Sequence, residues 1–444
     1  MKVSVIIPIG LKDQNFSLID QIKEKFESFE IIVAASYQNN EAKKLEDKVD
    51  QFLSIHNSTR SKALNVGAEN AKNEILWFLH LDSNISLIDY LDFEKVNDQK
   101  INTFLLKFDD EKLKYNSVGA NLRTKYLNLP FGDQSFIINK KLFNFIGEFT
   151  ESVDKGEDHE FIWKAKTIGV KVNIISNYIL SSAIKYKEHP ILQTFNTVKD
   201  TVLQIFKFYK PKKKYVICHF LKDPKSPKSK TRLRKDLSDD FVNELNENLI
   251  ELLSENVKQI KKNKFIYQIS VSEKDHKDYA YKFSRMTDGL YFTSQNELGA
   301  SMKEVIEFNL KYFKKVVIVG TDIPFLSAKD ITDSLKSSPA KNVFYPTLDG
   351  GFCLLATSDD KILDILDKVK YGTDTVLSDL TKNVSKLLIE NKFYQDIDVK
   401  EDLLKVYKDL KEKVYSLNPT LKKLYTLLTL IRKNLVNNLF FNWS

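Results

Sequence analysis

The chain has 444 residues, of which 42% are hydrophobic and 29% are charged, and these proportions exclude a disordered, collagen-like or low-complexity protein. The length predicts two or three domains, and the formal net charge of +8 is spread along the chain, so we expect no nucleic-acid partner. Cys218 and Cys353 are too few for a disulfide framework, and no apolar run reaches the roughly 18–20 residues that span a bilayer, which together predict a cytoplasmic protein.

Short apolar runs alternate with helical stretches through the first half of the chain. Strands are predicted at residues 3–9, 30–35 and 75–81, and helices at residues 17–29 and 40–50. This alternation is typical of strand–helix–strand units, in which helices cover a mostly parallel sheet. The first half therefore predicts an α/β domain.

The first domain ends after a helix predicted at residues 190–209, where Pro211 is followed by three lysines. The alternation then starts again and predicts a second α/β domain. We assign residues 1–210 to the first domain, 211–410 to the second and 411–444 to a tail. Strands of the second domain are predicted at residues 215–221, 265–271, 315–320, 342–345 and 352–356, with an acidic helix at residues 239–260.

The tail, residues 411–444, has the pattern of a basic amphipathic helix. Leu421 and Leu424 lie at helical spacing, and Lys422 lies between them. Such a helix either lies on an anionic membrane, peripherally at its inner face, or packs on the protein's own domains. The helix at residues 190–209 presents the same choice.

Arginine is scarce, with six arginines against 62 lysines. We therefore expect arginine where its planar guanidinium matters, and this group is the better bidentate partner for phosphate. Arg60, Arg123, Arg232 and Arg234 are candidates for phosphate contacts, and a solvated surface position is the alternative for each.

In each half an apolar strand ends in an aspartate, Asp82 after residues 75–81 and Asp322 after residues 315–320. Ligands of open α/β sheets bind at the carboxyl ends of the strands, where a carboxylate is placed to hold a substrate or a metal. An aspartate after a strand is also a common helix N-cap. Both interpretations stay open on this pattern alone.

Five motifs of the first half occur in a characteristic order. They are residues 4–8 (SVIIP), 60–68 (RSKALNVGA), 78–82 (FLHLD), 129–134 (LPFGDQ) and 156–158 (GED). Together they resemble the family-two glycosyltransferases of GT-A fold, and the likeness covers residues 1–210. The resemblance implies transfer of a sugar from a nucleotide-diphosphate donor, with inversion at the anomeric carbon.

The resemblance also implies catalytic and metal-binding roles. Asp158 corresponds to the general base that takes the proton from the acceptor, with Glu157 beside it. Asp82 and His80 are the candidate ligands for a divalent metal, Mg²⁺ or Mn²⁺. An imidazole ligand suits Mn²⁺ or Zn²⁺ better than Mg²⁺, so the metal stays open.

Donor binding is expected around a predicted helix that begins with Arg60 and Lys62, because a helix N-terminus supports phosphate groups. The acidic residue that contacts the base or ribose in relatives is absent from residues 33–37. The remaining substrate-binding candidates of this domain are Pro8, Asn65, Asp133 and Gln134.

The second half carries a basic loop, Lys230-Thr231-Arg232, between its first predicted strand and the acidic helix. Nucleotide phosphates bind at this place in α/β sheets. Three motifs follow, namely residues 320–324 (GTDIP), 348–352 (LDGGF) and 396–398 (DID). Over residues 215–405 the set resembles a bacterial GT-A family of formerly unknown function, and it also looks like nucleotidyltransferases.

This second resemblance implies that Asp322 and Asp398 are a metal-binding pair. The implied substrate-binding residues are Lys230, Thr231, Arg232, Asp349, Gly350 and Gly351. The two glycines allow a close approach of the backbone to a ligand.

Together the two resemblances imply a bifunctional enzyme that uses a nucleotide-sugar, a nucleoside triphosphate or both. Two alternatives stay open, that only the second domain is catalytic, or that the second domain is a non-catalytic scaffold. In some bacteria both families are catalogued together as glycosyltransferases for arsenic-containing sugars. The resemblance therefore implies the synthesis of such sugars as a biochemical context.

Overall fold

A computed structural model of the protein describes every residue except 110–113, 154–155, 183–189, 261–263, 273–276, 285, 337–341, 383–386, 414–416 and 441–444. The chain forms two compact units, Met1–Lys212 and Lys213–Ser444. Each unit contains one sheet and its own hydrophobic core.

The strands divide between the two units. The first unit contains β1 (Val3–Ile9), β2 (Glu30–Ser36), β3 (Gln51–Ile55), β4 (Ile75–Phe78), β5 (Ser83–Asn84), β6 (Ile101–Phe108), β7 (Phe136–Asn139) and β8 (Val172–Ser181). The second unit contains β9 (Tyr215–Phe220), β10 (Phe265–Ser272), β11 (Gly289–Thr293), β12 (Lys315–Val319), β13 (Asn342–Pro346), β14 (Phe352–Thr357) and β15 (Leu387–Ile389).

Helices connect most of these strands. The first unit contains α1 (Ser17–Lys25), α2 (Arg60–Asn70), α3 (Tyr90–Phe93), α4 (Lys114–Leu127), α5 (Lys140–Ile146), α6 (Glu157–Ile168) and α7 (Pro190–Phe208). The second unit contains α8 (Asp239–Gln259), α9 (Lys277–Ser284), α10 (Leu298–Leu310), α11 (Ala328–Lys336), α12 (Leu363–Leu366), α13 (Val376–Thr381), α14 (Lys400–Glu412) and α15 (Pro419–Phe440).

The two sheets share one arrangement. The first has the order β3-β2-β1-β4-β7-β6-β8-β5 and the second has the order β11-β10-β9-β12-β14-β13-β15. In each, four parallel strands are followed by an antiparallel strand, β7 beside β4 and β14 beside β12. The prediction of two tandem α/β sheets is therefore confirmed.

The first strand of each unit shows why these segments form sheet centres. All seven residues of β1 are buried, and Val216 to His219 of β9 are buried as well. A continuous apolar run of this kind is typical of a parallel strand covered on both faces. In both sheets this strand pairs with neighbours on either side, and the chain order reverses beside it. The crevice at such a switch point is where ligands of open α/β sheets bind.

Two predicted elements differ from the structure in type or length. The helix predicted at residues 40–50 is a short 3₁₀ helix, Ala42–Lys48, which β3 follows directly. The strand predicted at residues 75–81 ends at Phe78, and the Ser83 N–H donates to the His80 carbonyl at 3.0 Å to form a turn. Asp82 therefore lies in a turn beyond the strand.

The tail helix α15 packs on α8. Leu424 and Leu428 are buried in one cluster with Leu245 and Leu249 of α8. The described part of the tail thus packs on the second unit, as one of the two alternatives predicts. Among the described residues, no helix is both long enough and apolar enough to cross a membrane.

Candidate functional site

In the first unit, three distant motifs meet at Asp158. The carboxylate accepts the Gly132 N–H at 2.6 Å on Oδ2 and the His159 N–H at 2.9 Å on Oδ1. A Cβ added at Gly132 would lie 2.8 Å from the His80 ring and 3.2 Å from Asp158 Oδ2, so His80 adjoins the same spot. Asp158 also lies in the first turn of α6, whose positive end favours the charged carboxylate.

The surroundings of Asp158 keep it ionised. Burial alone would raise the pKa of its carboxyl, but the His159 and His80 rings and the two backbone N–H donors outweigh burial and hold the pKa below its ordinary value. Burial lowers the pKa of His159 to about 4, so that ring is neutral at neutral pH. A carboxylate next to a neutral imidazole can accept a proton.

Glu157, the neighbouring candidate, is tied to the predicted phosphate helix. Its carboxylate is buried and lies 3.1 Å from the Arg60 guanidinium, which is about half exposed. Burial and Asp158 raise the pKa of Glu157, and Arg60 opposes them. Arg60 opens α2, where the Thr59 side chain accepts the Lys62 N–H at 3.2 Å. The structure thus connects the Gly-Glu-Asp motif to the α2 N-terminus.

Other predicted substrate-binding residues of this unit support the backbone. Lys62 Nζ donates to the His56 carbonyl at 2.8 Å. The Asn65 amide donates to the Phe149 carbonyl at 2.8 Å and accepts the Phe149 N–H at 3.1 Å. Pro8 is buried within β1.

The LPFGDQ motif folds around Gln134, which is fully buried. Its amide accepts from the Thr124 hydroxyl at 2.7 Å and donates to the Phe104 carbonyl at 3.1 Å. Gln134 therefore holds the loop that presents the Gly132 N–H to Asp158. Its neighbour Asp133 is partly buried in the same loop.

Arg123, a phosphate candidate by composition, supports this loop instead. Its Nε donates to the Leu129 carbonyl at 2.8 Å, and its guanidinium lies 3.2 Å from the Phe131 ring centroid. Phe131 in turn stacks on His159, with ring centroids 3.4 Å apart. This aromatic stack was not predicted from the sequence, although the Phe131 ring within a loop motif was the available signal.

Asp82 is exposed, in the turn that follows His80. Asp82 and His80 stay a predicted pair of metal ligands. A small cavity beside this turn includes His80, Gly132, Glu157 and Asp158, and its full lining is Leu64, Phe78, His80, Gly132, Phe136, Phe149, Glu157 and Asp158.

An exposed aromatic pair stands at the carboxyl end of β2, where the usual acidic residue is absent. The Tyr37 and His56 rings stack with centroids 4.0 Å apart, and Lys43 Nζ lies 5.4 Å from the Tyr37 ring. Because Lys62 bonds to the His56 carbonyl, this pair adjoins the start of α2.

In the second unit, Lys230 lies between the two aspartates predicted to hold a metal. Its ammonium is 2.8 Å from Asp322 Oδ2 and 3.2 Å from Asp398 Oδ1, and it also donates to the Ile397 carbonyl. The side chain is only 5% exposed. Burial alone would lower the pKa of Lys230, but Asp322 and Asp398 outweigh burial and raise it. The three ammonium hydrogens therefore have three acceptors within the protein.

A group of three carboxylates lies beside this lysine. Oxygens of Asp349, Asp396 and Asp398 come within 4.8 Å of one another, and among the described residues no other three carboxylate, imidazole or thiol ligands do so. Burial, followed by the charges of Asp349 and Asp398, raises the pKa of Asp396 to about 6. Asp396 was predicted only as part of a motif and not as a ligand, and its spacing of two residues from Asp398 was the available signal.

The basic loop offers Thr231 and Arg232, which are both exposed. Arg232 lies 3.7 Å from Asp398 Oδ2. Arg234, a phosphate candidate by composition, instead closes the loop, because its guanidinium donates to the Ser229 and Pro224 carbonyls at 2.7 and 2.8 Å.

Gly350 and Gly351 lie close to other atoms of the chain. Gly350 has a positive φ of 87°, and a Cβ there would lie 2.0 Å from the Asp374 carbonyl oxygen. A Cβ at Gly351 would lie 3.1 Å from the Thr347 hydroxyl, and its N–H donates to Asp349 Oδ1 at 3.0 Å. The close backbone approach that the glycines allow in this structure is therefore to the chain itself.

Residues 257–373 match a family model described as "Uncharacterized protein conserved in bacteria (DUF2064)". This match confirms the predicted resemblance of the second unit to a bacterial family of formerly unknown function. A comparison with curated protein sequences gives no match.

Several solved structures are similar to parts of the chain. A putative nucleotide-diphospho-sugar transferase from Desulfovibrio desulfuricans G20 has 21% identity and a TM-score of 0.43, covering 49% of this chain and 94% of its own. S. aureus TarS has 16% identity and a TM-score of 0.32, covering 47% of this chain and 44% of its own. A 4-diphosphocytidyl-2C-methyl-D-erythritol synthase from Anaerococcus prevotii DSM 20548 has 13% identity and a TM-score of 0.32, covering 45% of this chain and 96% of its own.

Proposed function

We propose that the first unit transfers a sugar from a nucleotide-diphosphate donor to an acceptor hydroxyl, with inversion. The observation that carries this proposal is the position of Asp158, which is ionised, held by two backbone N–H groups and adjacent to His80. In the transfer, the acceptor oxygen forms a bond to the anomeric carbon while the bond from that carbon to the diphosphate oxygen breaks. Asp158 takes the proton from the acceptor hydroxyl.

The donor diphosphate is placed at the N-terminus of α2. Free backbone N–H groups and the positive end of the helix attract phosphate there, and Arg60 adds a half-exposed guanidinium. The nucleotide base stacks on the exposed Tyr37 and His56 pair, which takes the place of the missing acidic residue. Stacking is tolerant of base identity, because every base has a π-face.

A divalent metal fits the donor set of the second unit. Three carboxylates, Asp349, Asp396 and Asp398, are hard oxygen ligands of the kind that Mg²⁺ and Mn²⁺ prefer, and their mutual repulsion is relieved by a cation. In the first unit, His80 and Asp82 are the proposed ligands of a divalent metal. When bound, such a metal neutralises charge on a di- or triphosphate. The Lys230 ammonium lies between Asp322 and Asp398, where the sequence predicts a metal ion. We therefore propose Asp349, Asp396 and Asp398 as the metal ligands of the second unit, in place of the predicted pair.

For the second unit we propose nucleotidyl transfer, in which an acceptor oxygen bonds to the α-phosphorus of a nucleoside triphosphate while the bond from that phosphorus to the leaving pyrophosphate breaks. The feature that favours this activity over a scaffold is the exposed Arg232 beside the three carboxylates. A binding site for a metal-bound triphosphate combines such a cation with such ligands. The protein would then have two independent sites.

A ligand screen tests both sites in one protein. Nucleotide-sugars and nucleoside triphosphates, each with and without Mn²⁺, should raise the melting temperature by mass action. We expect the shift by nucleotide-sugars to be lost in Arg60→Ala and the shift by triphosphates to be lost in Arg232→Ala. The proposal fails if no nucleotide changes the melting temperature, or if both variants lose the same ligands.

A further inference from the structure

Two helices of the first unit, α4 and α7, turn apolar side chains outward. In α4 these are Tyr115, Val118, Leu122 and Tyr126, which are 47–87% exposed, and in α7 they are Phe195, Val198, Val202 and Phe206, which are 45–80% exposed. Both sets follow the same spacing of three, four and four residues. Residues at this spacing lie in one stripe along a helix.

The opposite sides of both helices pack next to the candidate site. From α4, the buried Thr124 donates to Gln134, and Arg123 stacks on Phe131. From α7, Gln204 bonds to His159 and lies within 3 Å of a Cβ added at Gly156. The two apolar stripes are therefore carried by the helices that support the surroundings of Asp158.

Positive charge is concentrated in α4 and in α7 together with the four residues that follow it. Residues 114–127 have a formal net charge of +3 and contain no acidic residue, and residues 190–212, which include Lys210 and Lys212 beyond α7, also have a net charge of +3. The rest of the first unit, residues 1–113 and 128–189, has a net charge of −5. The charge of this unit is thus strongly asymmetric, although the composition of the whole chain hides it.

We propose that α4 and α7 form a docking surface for an anionic lipid membrane. Exposed aromatic and aliphatic side chains flanked by lysines are typical of helices that lie in the membrane interface. A second copy of the chain is disfavoured as the occupant, because two surfaces of net positive charge repel each other. The tail, the other candidate for membrane contact, has its described apolar side buried on α8.

Docking of this kind also indicates the class of acceptor. If the first unit transfers sugar as proposed above, its Asp158 site is brought to the lipid surface, and the acceptor is an amphiphile held in that surface. This second part rests on the proposed function, whereas docking itself does not.

Vesicle co-sedimentation of the full chain tests the docking. We expect binding to vesicles of equal parts phosphatidylcholine and phosphatidylglycerol, and little binding to phosphatidylcholine alone. In the double variant Val118→Glu with Phe206→Glu, the bound fraction at limiting lipid should fall by about tenfold or more. The matched control is Leu91→Glu, which changes a leucine that is 62% exposed in the same unit but outside both helices. All replaced side chains are exposed, and unchanged melting temperatures show that the variants fold.

Three outcomes would overturn the docking surface. The wild-type chain fails to bind anionic vesicles, the double variant binds as well as the wild type, or Leu430→Glu in the tail abolishes binding while the double variant does not. Dimerisation that only the double variant abolishes would identify a second copy as the occupant instead. Because vesicle binding is measured without any sugar donor, its failure is distinct from failure of the proposed transfer.

Discussion

The Lys230 ammonium lies 2.8 Å from Asp322 Oδ2, and this contact joins the basic loop to the aspartate that follows β12. It also reaches Asp398, so one cation holds two segments that are far apart in the chain. A second link runs between the same segments, because the Ile397 N–H donates to the Asp322 carbonyl at 3.1 Å. Lys230 is therefore a positioning residue for both aspartates.

Replacing this lysine should destabilise the protein. In Lys230→Met two carboxylates lose their cation, and because both are partly exposed we expect a loss of about 1–3 kcal/mol, less than for a fully buried pair. Arg232→Met, at an exposed arginine 3.7 Å from Asp398, should cost under about 1 kcal/mol. Urea unfolding midpoints measure both, and equal losses would contradict the role given to Lys230.

Metal affinity of the second unit should depend on the three carboxylates. With Asp82→Ala in every protein to remove the predicted site of the first unit, Asp396→Asn should weaken Mn²⁺ binding by about tenfold or more. Asp322→Asn should change it by less than about threefold, because Asp322 faces Lys230. Calorimetric titration with Mn²⁺ gives both constants. A larger effect of Asp322→Asn would return the metal to the Asp322 and Asp398 pair.

Gly132 should tolerate no side chain. In Gly132→Ala the new methyl group would stand 2.8 Å from the His80 ring and 3.2 Å from Asp158 Oδ2, so both must move. We expect sugar transfer to fall by about tenfold or more, since small displacements of reacting groups are costly. The control is Gly119→Ala in α4, where nothing lies within 4 Å. Full activity of Gly132→Ala would show that this loop does not position the base.

Glu148 should make stability depend on pH. Burial, followed by the charge of Glu69, raises its pKa from 4.5 to about 7. The folded state therefore binds the proton more tightly than the unfolded state, and stability falls as pH rises from about 4.5 to about 7. Glu148→Gln removes this loss and should gain about 1–3 kcal/mol at pH 8 over the wild type.

Urea unfolding of both proteins at pH 5 and pH 8 measures the difference. The matched control is Glu27→Gln, at an exposed glutamate of the same unit, which should leave the pH profile of the wild type unchanged. If the free energies of unfolding of Glu148→Gln and the wild type differ by the same amount at pH 5 and at pH 8, Glu148 does not titrate with a raised pKa.

The sequence predicts the sheet centres well and the edges poorly. The strand at Val3–Ile9 has the predicted bounds, because a strand buried on both faces is a continuous apolar run. The strand at the edge of the first sheet, Gln51–Ile55, is short and mostly half-buried. Its sequence has neither an alternation of apolar and polar residues nor a long apolar run. It is recognisable only beside β2, with which it pairs.

Site chemistry is predicted where a motif is local and missed where it depends on distant pairing. The Gly-Glu-Asp motif gives a carboxylate at the start of α6, because a helix start is encoded within a few residues. The partner of Lys230 is 168 residues away, so no spacing in the chain reveals that its ammonium faces Asp398. For the same reason a basic loop could be predicted, but not which of its cations is buried.

The rate of sugar transfer by Asp158→Asn is the most direct test of the claim that Asp158 is the general base. The amide keeps the shape of the side chain but cannot take the acceptor's proton, so turnover of a nucleotide-sugar identified by the screen should fall by about 10²-fold or more, while donor affinity changes less than about threefold. Turnover equal to that of the wild type, in a variant that is folded and binds the donor, would contradict the role of Asp158 as the base.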